Sequence, residues 1–379
     1  MIKKLRIVTV VGTRPEIIRL SRVISALDES CDHVLIHTDQ NFDFELSEIF
    51  FSELGIREPD FYLSSTIGSN SPSQTIGNLI SSIDKVLVDI EPQALLVLGD
   101  TNSCLAAIAA KKRKVPVFHM EAGNRCFDQR VPEETNRKII DHLADINMPY
   151  SDIAREYLLR EGIPPDRIIK TGSPMLEVLA HHMNKIQSSN ILKELELDPG
   201  GYYLISVHRE ENVDCSKSFN RFLELLNELA EEFALPVIVS THPRTRKRIA
   251  EFGKALNERV VLSKPFGFFD YVWLQINAKT VLSDSGTITE ESSILDFPAL
   301  NLREAHERPE GMEEGSVMMV GMNIVRIKQA LTLLDSQQRS SERNFRLVGD
   351  YDAPNVSKKV IRIIYSYVDY VDQQLWRKD

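Results

Sequence analysis

Tryptophan and cysteine are scarce in this 379-residue chain, with 2 and 4 copies, and long hydrophobic runs are missing altogether. No apolar stretch approaches the ~18 residues that a membrane-spanning helix needs, which excludes an integral helical membrane protein. The opening run 5–11 is short, ends at Gly12 and lacks a small-residue cleavage site, so it reads as a first strand rather than a signal peptide. The cysteines (Cys31, Cys104, Cys126, Cys215) are scattered without a C-x-x-C pair. That disfavours a disulfide framework or a thiolate zinc site and fits a reducing, cytoplasmic setting. H-E-x-x-H is absent, and His181 and His182, adjacent on a helix, point about 100° apart, so no metal is expected. G-x-S-x-G is absent too, which removes the serine-hydrolase elbow. The first apolar run is followed by Gly12-Thr13-Arg14-Pro15 instead of G-x-G-x-x-G, and no P-loop occurs. Nicotinamide chemistry and P-loop phosphoryl transfer lose ground, and no cofactor is expected. Positive charge is in deficit, 45 Lys+Arg against 55 Asp+Glu for a formal −10. A nucleic-acid partner is therefore not expected, nor a membrane, although a local basic site for a small anion is allowed.

What is present is an ordinary globular balance, 42% hydrophobic and 26% charged, in a length that suggests two domains at about 150 residues each. Strand-like apolar runs at 5–11, 33–38, 94–98, 115–119, 202–207, 235–240, 280–283 and 299–302 alternate with helix-period segments at 16–27, 76–90, 219–232 and 245–256. The runs are apolar throughout rather than alternating, as when both faces of a parallel sheet are covered. The fold class read from this is α/β with βαβ crossovers, in two doubly wound domains. The pattern turns polar around 183–201 before Tyr202 restarts a strand series. We place a first domain at 1–175, a linker region at 176–199 and a second domain at 200–353, followed from Pro354 by an amphipathic helix. Residues 64–73 read as a mobile polar loop.

Ligands of open α/β sheets bind beyond the carboxyl ends of the strands. Here those ends are rich in charge: Gly12-Thr13-Arg14-Pro15-Glu16, Gly99-Asp100-Thr101-Asn102, His119-Met120-Glu121-Ala122-Gly123, His208-Arg209-Glu210-Glu211, Thr241-His242-Pro243-Arg244, Asp284-Ser285-Gly286-Thr287 and Arg303 through Arg308. Together they describe a polar cleft between two sheets. Arg14, Arg19, Arg125, His208, His242 and Arg308 could supply positive charge to it. Ser285-Gly286 precedes a helical stretch at 288–295, whose free N–H groups favour a phosphate; an ordinary N-cap explains the same serine equally well. Asp100 and Glu121 directly follow strands and should face the cleft, either as acid/base groups or as structural acids that cap a helix. Glu133 begins a helix at 133–143 behind Pro132, where an acid is also ordinary dipole chemistry. Glu134 shares that second reading with less to distinguish it.

These segments, with Pro132-Glu133-Glu134-Thr135-Asn136-Arg137, Glu290-Glu291 and Glu307-Arg308-Pro309-Glu310, occur in order over essentially the whole chain and resemble the UDP-N-acetylglucosamine 2-epimerase family. The resemblance implies a glycosyltransferase-B-like pair of Rossmann-like domains, a homodimer, and a C-terminal helix at 354–379 packing back on the first domain. The stretch from Glu121-Ala122-Gly123-Asn124-Arg125 to Val131-Pro132-Glu133-Glu134, with Ser240-Thr241-His242-Pro243-Arg244-Thr245-Arg246, is similar to one subgroup. That subgroup converts UDP-2-acetamido-2,6-dideoxy-L-talose to UDP-N-acetyl-L-fucosamine for surface polysaccharides.

The chemistry explains the residue types. The C2 hydrogen of a 2-acetamido sugar is not next to a carbonyl, so the family eliminates UDP to a glycal and adds it back with C2 inverted. This calls for a base, an acid that holds its proton through a raised pKa, and neutralisation of the departing diphosphate. By motif position the resemblance gives Asp100, Glu121 and Glu133 as acid/base candidates and His208 as assisting the leaving phosphate. Arg14, His242, Ser285, Gly286 and Arg308 would hold the diphosphate, and Glu291 the ribose. Arg19 stands where many members have Lys, and an arginine is a poor proton donor. Thr287 replaces a second glycine after Ser285-Gly286, and the 38–43 segment lacks the His-Arg pair of members activated by their own substrate. The alternatives are a UDP-N-acetylglucosamine 2-epimerase forming UDP-N-acetylmannosamine, a hydrolysing relative, a glycosyltransferase of the same fold and a non-catalytic nucleotide-sugar sensor. The retaining-transferase Glu-x7-Glu spacing fails, because Pro298 and Ala299 stand where its second glutamate would.

Overall fold

The computed structural model describes residues 3–38, 44–63, 69–207, 216–241 and 243–378. It divides into two compact units, Met1–His181 with Asp350–Asp379, and His182–Gly349.

The first unit is built on a parallel sheet of β1 (Arg6–Val11), β2 (Asp32–His37), β3 (Phe61–Tyr62), β4 (Ala94–Leu98), β5 (Val117–Met120) and β6 (Ile146–Met148), in the order β3-β2-β1-β4-β5-β6. Its helices are α1 (Arg14–Ser30), α2 (Phe44–Leu54), α3 (Pro72–Ile90), α4 (Ala106–Lys112), α5 (Glu133–Leu143), α6 (Asp152–Arg160), most of α7 (Met175–Gln187), and, beyond the second unit, a C-terminal helix at Val356–Tyr370. Val8, Val10, Leu95 and Val97 of the sheet pack with Leu79, Ile83 and Leu87 of α3 and with the alanines of α4. Each of these Val, Leu and Ile side chains, fully buried, contributes about 1.5–3 kcal/mol. The C-terminal helix belongs to this unit: its Tyr365 hydroxyl donates to the Ser30 carbonyl at 3.1 Å, and Val360 and Ile364 are fully buried.

In the second unit β7 (Tyr203–Ser206), β8 (Val237–Ser240), β9 (Val260–Ser263), β10 (Thr280–Ser283), β11 (Ala299–Asn301) and β12 (Met318–Met319) are all parallel, in the order β12-β11-β10-β7-β8-β9. Its helices continue as α8 (Ile191–Glu194), α9 (Ser216–Phe233), α10 (Pro243–Phe252), α11 (Phe268–Asn277), α12 (Ile288–Leu295), α13 (Pro309–Glu313) and α14 (Ile324–Leu334), so the C-terminal helix is α15. Counted from its own first strand, this sheet has the same strand order as the other. Both have the doubly wound order 3-2-1-4-5-6, with a switch point between the first and fourth strands. Two Rossmann-like domains in one chain make the glycosyltransferase-B-like class.

The limits of the two units fall at His181/His182 and at Gly349/Asp350, beside an expected linker region at 176–199 and an expected start of the last segment at Pro354. Residues 176–199, expected as a linker region, are mostly helical, and the division falls inside α7. The polar tract Gln187–Asn190 that suggested a linker only separates α7 from α8, where the Ser189 hydroxyl donates to Asp270 at 2.6 Å. Of the polar loop expected at 64–73, residues 64–68 lie outside the described residues, and Pro72 already opens α3 with Ser71 as its cap.

Candidate active site

The switch point of the first sheet lies between β1 and β4. Beyond β1 the chain turns through Gly12 into α1, with Thr13 as N-cap and Glu16 closing a capping box, the reciprocal arrangement that S/T-x-x-E encodes. The Glu16 carboxylate does more than cap. Its Oε2 accepts the N–H groups of Gly12 (2.8 Å) and Thr13 (2.7 Å) and the Thr13 hydroxyl (3.0 Å), while Oε1 accepts the Thr101 hydroxyl (2.7 Å). Burial pushes its pKa up to about 7, against the pull of the hydrogen bonds from Thr101, Gly12 and Thr13. Arg14, the first residue of α1, is exposed and lies over the Phe50 ring, 5.2 Å from its centre.

Beyond β4 and β5 stand the first two predicted carboxylates, each with its own arginine. Asp100 accepts from Arg137 Nε and Nη2, both at 2.7 Å, and its carbonyl accepts from Asn136 Nδ2 at 2.9 Å. Glu121 Oε2 lies 2.5 Å from Arg19 Nη1, and its Oε1 accepts from Asn124 Nδ2 at 3.2 Å. The two strand ends lie side by side: Gly99 N–H donates to the Met120 carbonyl at 3.0 Å, and a Cβ on Gly99 would sit 3.8 Å from Glu121 Oε2. Glu121 itself has φ +64°, a left-handed conformation that a residue with a Cβ adopts only where its surroundings enforce it. The enforcement is visible two residues on. Gly123 turns at φ +83°, and a Cβ there would meet the Ala154 carbonyl oxygen at 2.4 Å, so only glycine fits.

Glu133, the third predicted carboxylate, is the first residue of α5 and half-buried. Its neighbour Glu134 is buried and accepts from the Cys126 N–H (3.1 Å), the Cys126 thiol (3.3 Å) and Arg137 (3.0 Å). Burial alone would raise Glu134, but the Cys126 and Arg137 donors outweigh it and hold the carboxyl below its ordinary value.

Arg125, expected to bring positive charge to the cleft, is held by carboxylates of its own unit. Its side chain is wholly buried, Nη1 paired with Asp141 at 2.7 Å, and Nε and Nη2 with Glu161 at 2.9 and 2.6 Å. Those two carboxylates neutralise it within the unit. Asp141 also accepts the Gly123 N–H at 3.1 Å and lies 3.0 Å from His119 Nδ1, while His119 Nε2 bonds the Gly99 carbonyl at 2.9 Å. This buried network underpins both carboxylate turns.

In the second unit the chain leaves β10 through buried Asp284 into Ser285-Gly286 and α12. Ser285 Oγ accepts from the Thr287 N–H at 3.3 Å, and Arg308 Nε donates to the Gly286 carbonyl at 3.1 Å. Arg308 Nη2 is 2.9 Å from Glu290 Oε2, an ion pair with side-chain exposures of 3% and 0%. Glu291 is buried beside it and accepts from Gln275 Nε2 at 2.6 Å. Ser285, Gly286, Glu291 and Arg308 thus gather around one helix N-terminus. His208 and His242 lie outside the described residues, as does most of the 38–43 segment. Among the described residues no cluster of His, Cys, Asp and Glu could hold a metal ion, and no helix is long and apolar enough to cross a membrane.

The sequence places Glu16, Glu134, Arg137 and Glu290 within motifs without giving them a role of their own, and Gln275 carries no signal. The Thr13-to-Glu16 capping-box spacing was a usable signal for the first; the others are defined by partners distant in sequence or one helical turn away.

Comparison with known proteins matches residues 25–365 to a model of the UDP-N-acetylglucosamine 2-epimerase family. A solved UDP-N-acetylglucosamine 2-epimerase from Rickettsia bellii is 48% identical, covers 99% of this chain and 100% of its own, and superposes with a TM-score of 0.90. The Methanocaldococcus jannaschii enzyme, solved in complex with UDP-GlcNAc and UDP, is 32% identical with a TM-score of 0.87, covering 96% of this chain and 100% of that one. A UDP-2,3-diacetamido-2,3-dideoxy-D-glucuronate 2-epimerase from Pseudomonas aeruginosa is 34% identical over 84% of this chain and 88% of its own.

Proposed function

Since the chain belongs to the UDP-N-acetylglucosamine 2-epimerase family, a family of isomerases, we propose that it inverts C2 of UDP-2-acetamido-2,6-dideoxy-L-talose to give UDP-N-acetyl-L-fucosamine for surface polysaccharide synthesis. The observation that carries the reaction class is the pair of carboxylates at adjacent strand ends, Asp100 on Arg137 and Glu121 on Arg19. One carboxylate of the Asp100, Glu121 and Glu133 set takes the C2 proton as the C1–oxygen bond breaks and UDP leaves, forming the glycal. UDP then adds back at C1 while a carboxylic acid protonates C2 from the opposite face. Atoms and charge balance without a redox cofactor. Arg308, Ser285, Gly286 and Arg14 neutralise the diphosphate, aided by His208 and His242, and Glu291 takes the ribose.

The talose assignment rests on the 121–134 segment and on Ser240-Thr241-His242-Pro243-Arg244-Thr245-Arg246. A second reading, epimerisation of UDP-N-acetylglucosamine to UDP-N-acetylmannosamine, is favoured by relatives solved with UDP-GlcNAc bound. Proton NMR in D2O with each nucleotide sugar separates them. Deuterium entering C2 with UDP retained, on the 6-deoxy-talose substrate alone, supports the first; exchange on UDP-N-acetylglucosamine alone moves the assignment to the second. No exchange on either overturns both.

A further inference from the structure

Glu16 is absorbed by none of the roles above, yet it is 2% exposed and takes four hydrogen bonds from two separate segments of chain. Those segments are the two that leave the sheet at its switch point: Gly12-Thr13 after β1, and Thr101 two residues past Gly99 after β4. Helix capping accounts for the bonds to Gly12 and Thr13 but not for the reach to Thr101, 85 positions along the chain. Thr101 directly follows Asp100, and its hydroxyl in turn accepts the Ser103 N–H at 3.2 Å, closing the short turn at Asn102–Leu105.

We propose that Glu16 is a positioning residue for the epimerisation, a buried carboxylate that ties the Asp100 turn to the start of α1 and so holds the Asp100 carboxylate at a fixed height above the sheet. The inference rests on the reading of Asp100 as an acid/base group. The Asp100 turn is then held from two sides: Arg137 and Asn136 of α5 grip Asp100 itself, and Glu16 of α1 grips the next residue. Losing the second tether leaves Asp100 free to swing about its contact with Arg137. Proton transfer depends steeply on donor–acceptor distance, whereas nucleotide binding by the second unit does not depend on that turn. Arg14 and Arg19 share the helix with Glu16, and the Cys104 thiol after β4 lies within reach of its charge. Burial raises the Cys104 thiol well above its ordinary value, with Asp100 and Glu16 adding to the effect.

The test uses the full-length enzyme with Thr101→Val, which removes the far anchor without changing side-chain shape, together with Glu16→Leu and the conservative Glu16→Gln. Turnover is read as deuterium incorporation at C2 and UDP affinity by calorimetry. Expected are a fall in kcat of about tenfold or more in Thr101→Val and Glu16→Leu, UDP affinity within about twofold of wild type, recovery of most of the rate in Glu16→Gln, and a Glu16→Leu/Thr101→Val double variant no slower than Glu16→Leu. Folded Thr101→Val with wild-type kcat overturns the proposal even if Glu16→Leu fails to fold. Losses that fall on KM or UDP affinity, or that add up in the double variant, overturn it as well. A wild-type enzyme that exchanges no deuterium overturns the functional reading and this inference with it; a working wild type beside an unaffected Thr101→Val overturns the inference alone.

Discussion

Arg19 and Glu121 meet as a nearly buried ion pair, Nη1 to Oε2 at 2.5 Å with side-chain exposures of 7% and 9%, joining the second turn of α1 to the end of β5. The pair gives the arginine at this position a defined task. Its planar fork fixes the orientation of a carboxylate, a job that a flexible ammonium does less well.

Replacing Arg19 with Met strands Glu121 in a site that excludes most water. Breaking one side of a buried pair costs about 3–5 kcal/mol, so the urea-unfolding midpoint should fall sharply, with Arg19→Lys in between. Deuterium exchange at C2 should drop in both variants in the same order. A stable, fully active Arg19→Met would remove the pair from both fold and mechanism.

Asp100→Asn, Glu121→Gln and Glu133→Gln should each cut turnover on the order of 100-fold or more, with UDP binding kept. Glu134→Gln is the informative control beside them, because Glu134 supports Arg137 and Cys126. Calorimetric UDP titration and C2 exchange on the same samples decide it; full activity in any of the first three takes that residue out of the acid/base set.

Arg125 predicts the opposite split. With its guanidinium neutralised by Asp141 and Glu161, Arg125→Met should destabilise the protein by about 3 kcal/mol or more. The surviving folded fraction should keep wild-type UDP affinity. Weakened UDP binding in folded Arg125→Met would return the residue to the binding set.

Glu16 makes stability depend on pH near neutrality. Its folded-state pKa, about 7, lies above the ordinary 4.5, so the folded state binds the proton more tightly than the unfolded chain. The resulting stabilisation is fully present below pH 4.5 and is lost as pH rises through 7. Between pH 5 and pH 8 this one group should remove roughly 2–3 kcal/mol. The unfolding free energy of wild type minus that of Glu16→Gln, measured from pH 5 to pH 8, should fall by that amount. Parallel curves would place the titration elsewhere.

The doubly wound class is legible in the apolar runs, because each of the eight is an inner strand of one sheet or the other. Those strands are covered on both faces, so burial writes itself into unbroken Val, Ile and Leu. The edges were silent. β3 and β12 are two residues long, β6 carries a buried Asn147, and β9 is largely half-exposed, so backbone pairing rather than side-chain pattern makes them strands. Asp100, Glu121 and Glu133 were legible for a related reason: a strand end or helix start is a local feature, and a carboxylate there is conspicuous. What the tertiary structure alone decided was which charge meets which. Arg125 reads in sequence like Arg308, but folding brings Asp141 and Glu161 onto the first, while the second lies against Glu290 and the Gly286 carbonyl beside a helix N-terminus. Glu16 stands in the sequence only as part of a charged strand end, and it is the fold that brings Thr101 to it. A side chain's role follows from its partners, and partners 16 to 102 positions apart are chosen by the packing of the sheet, not by any neighbouring residue.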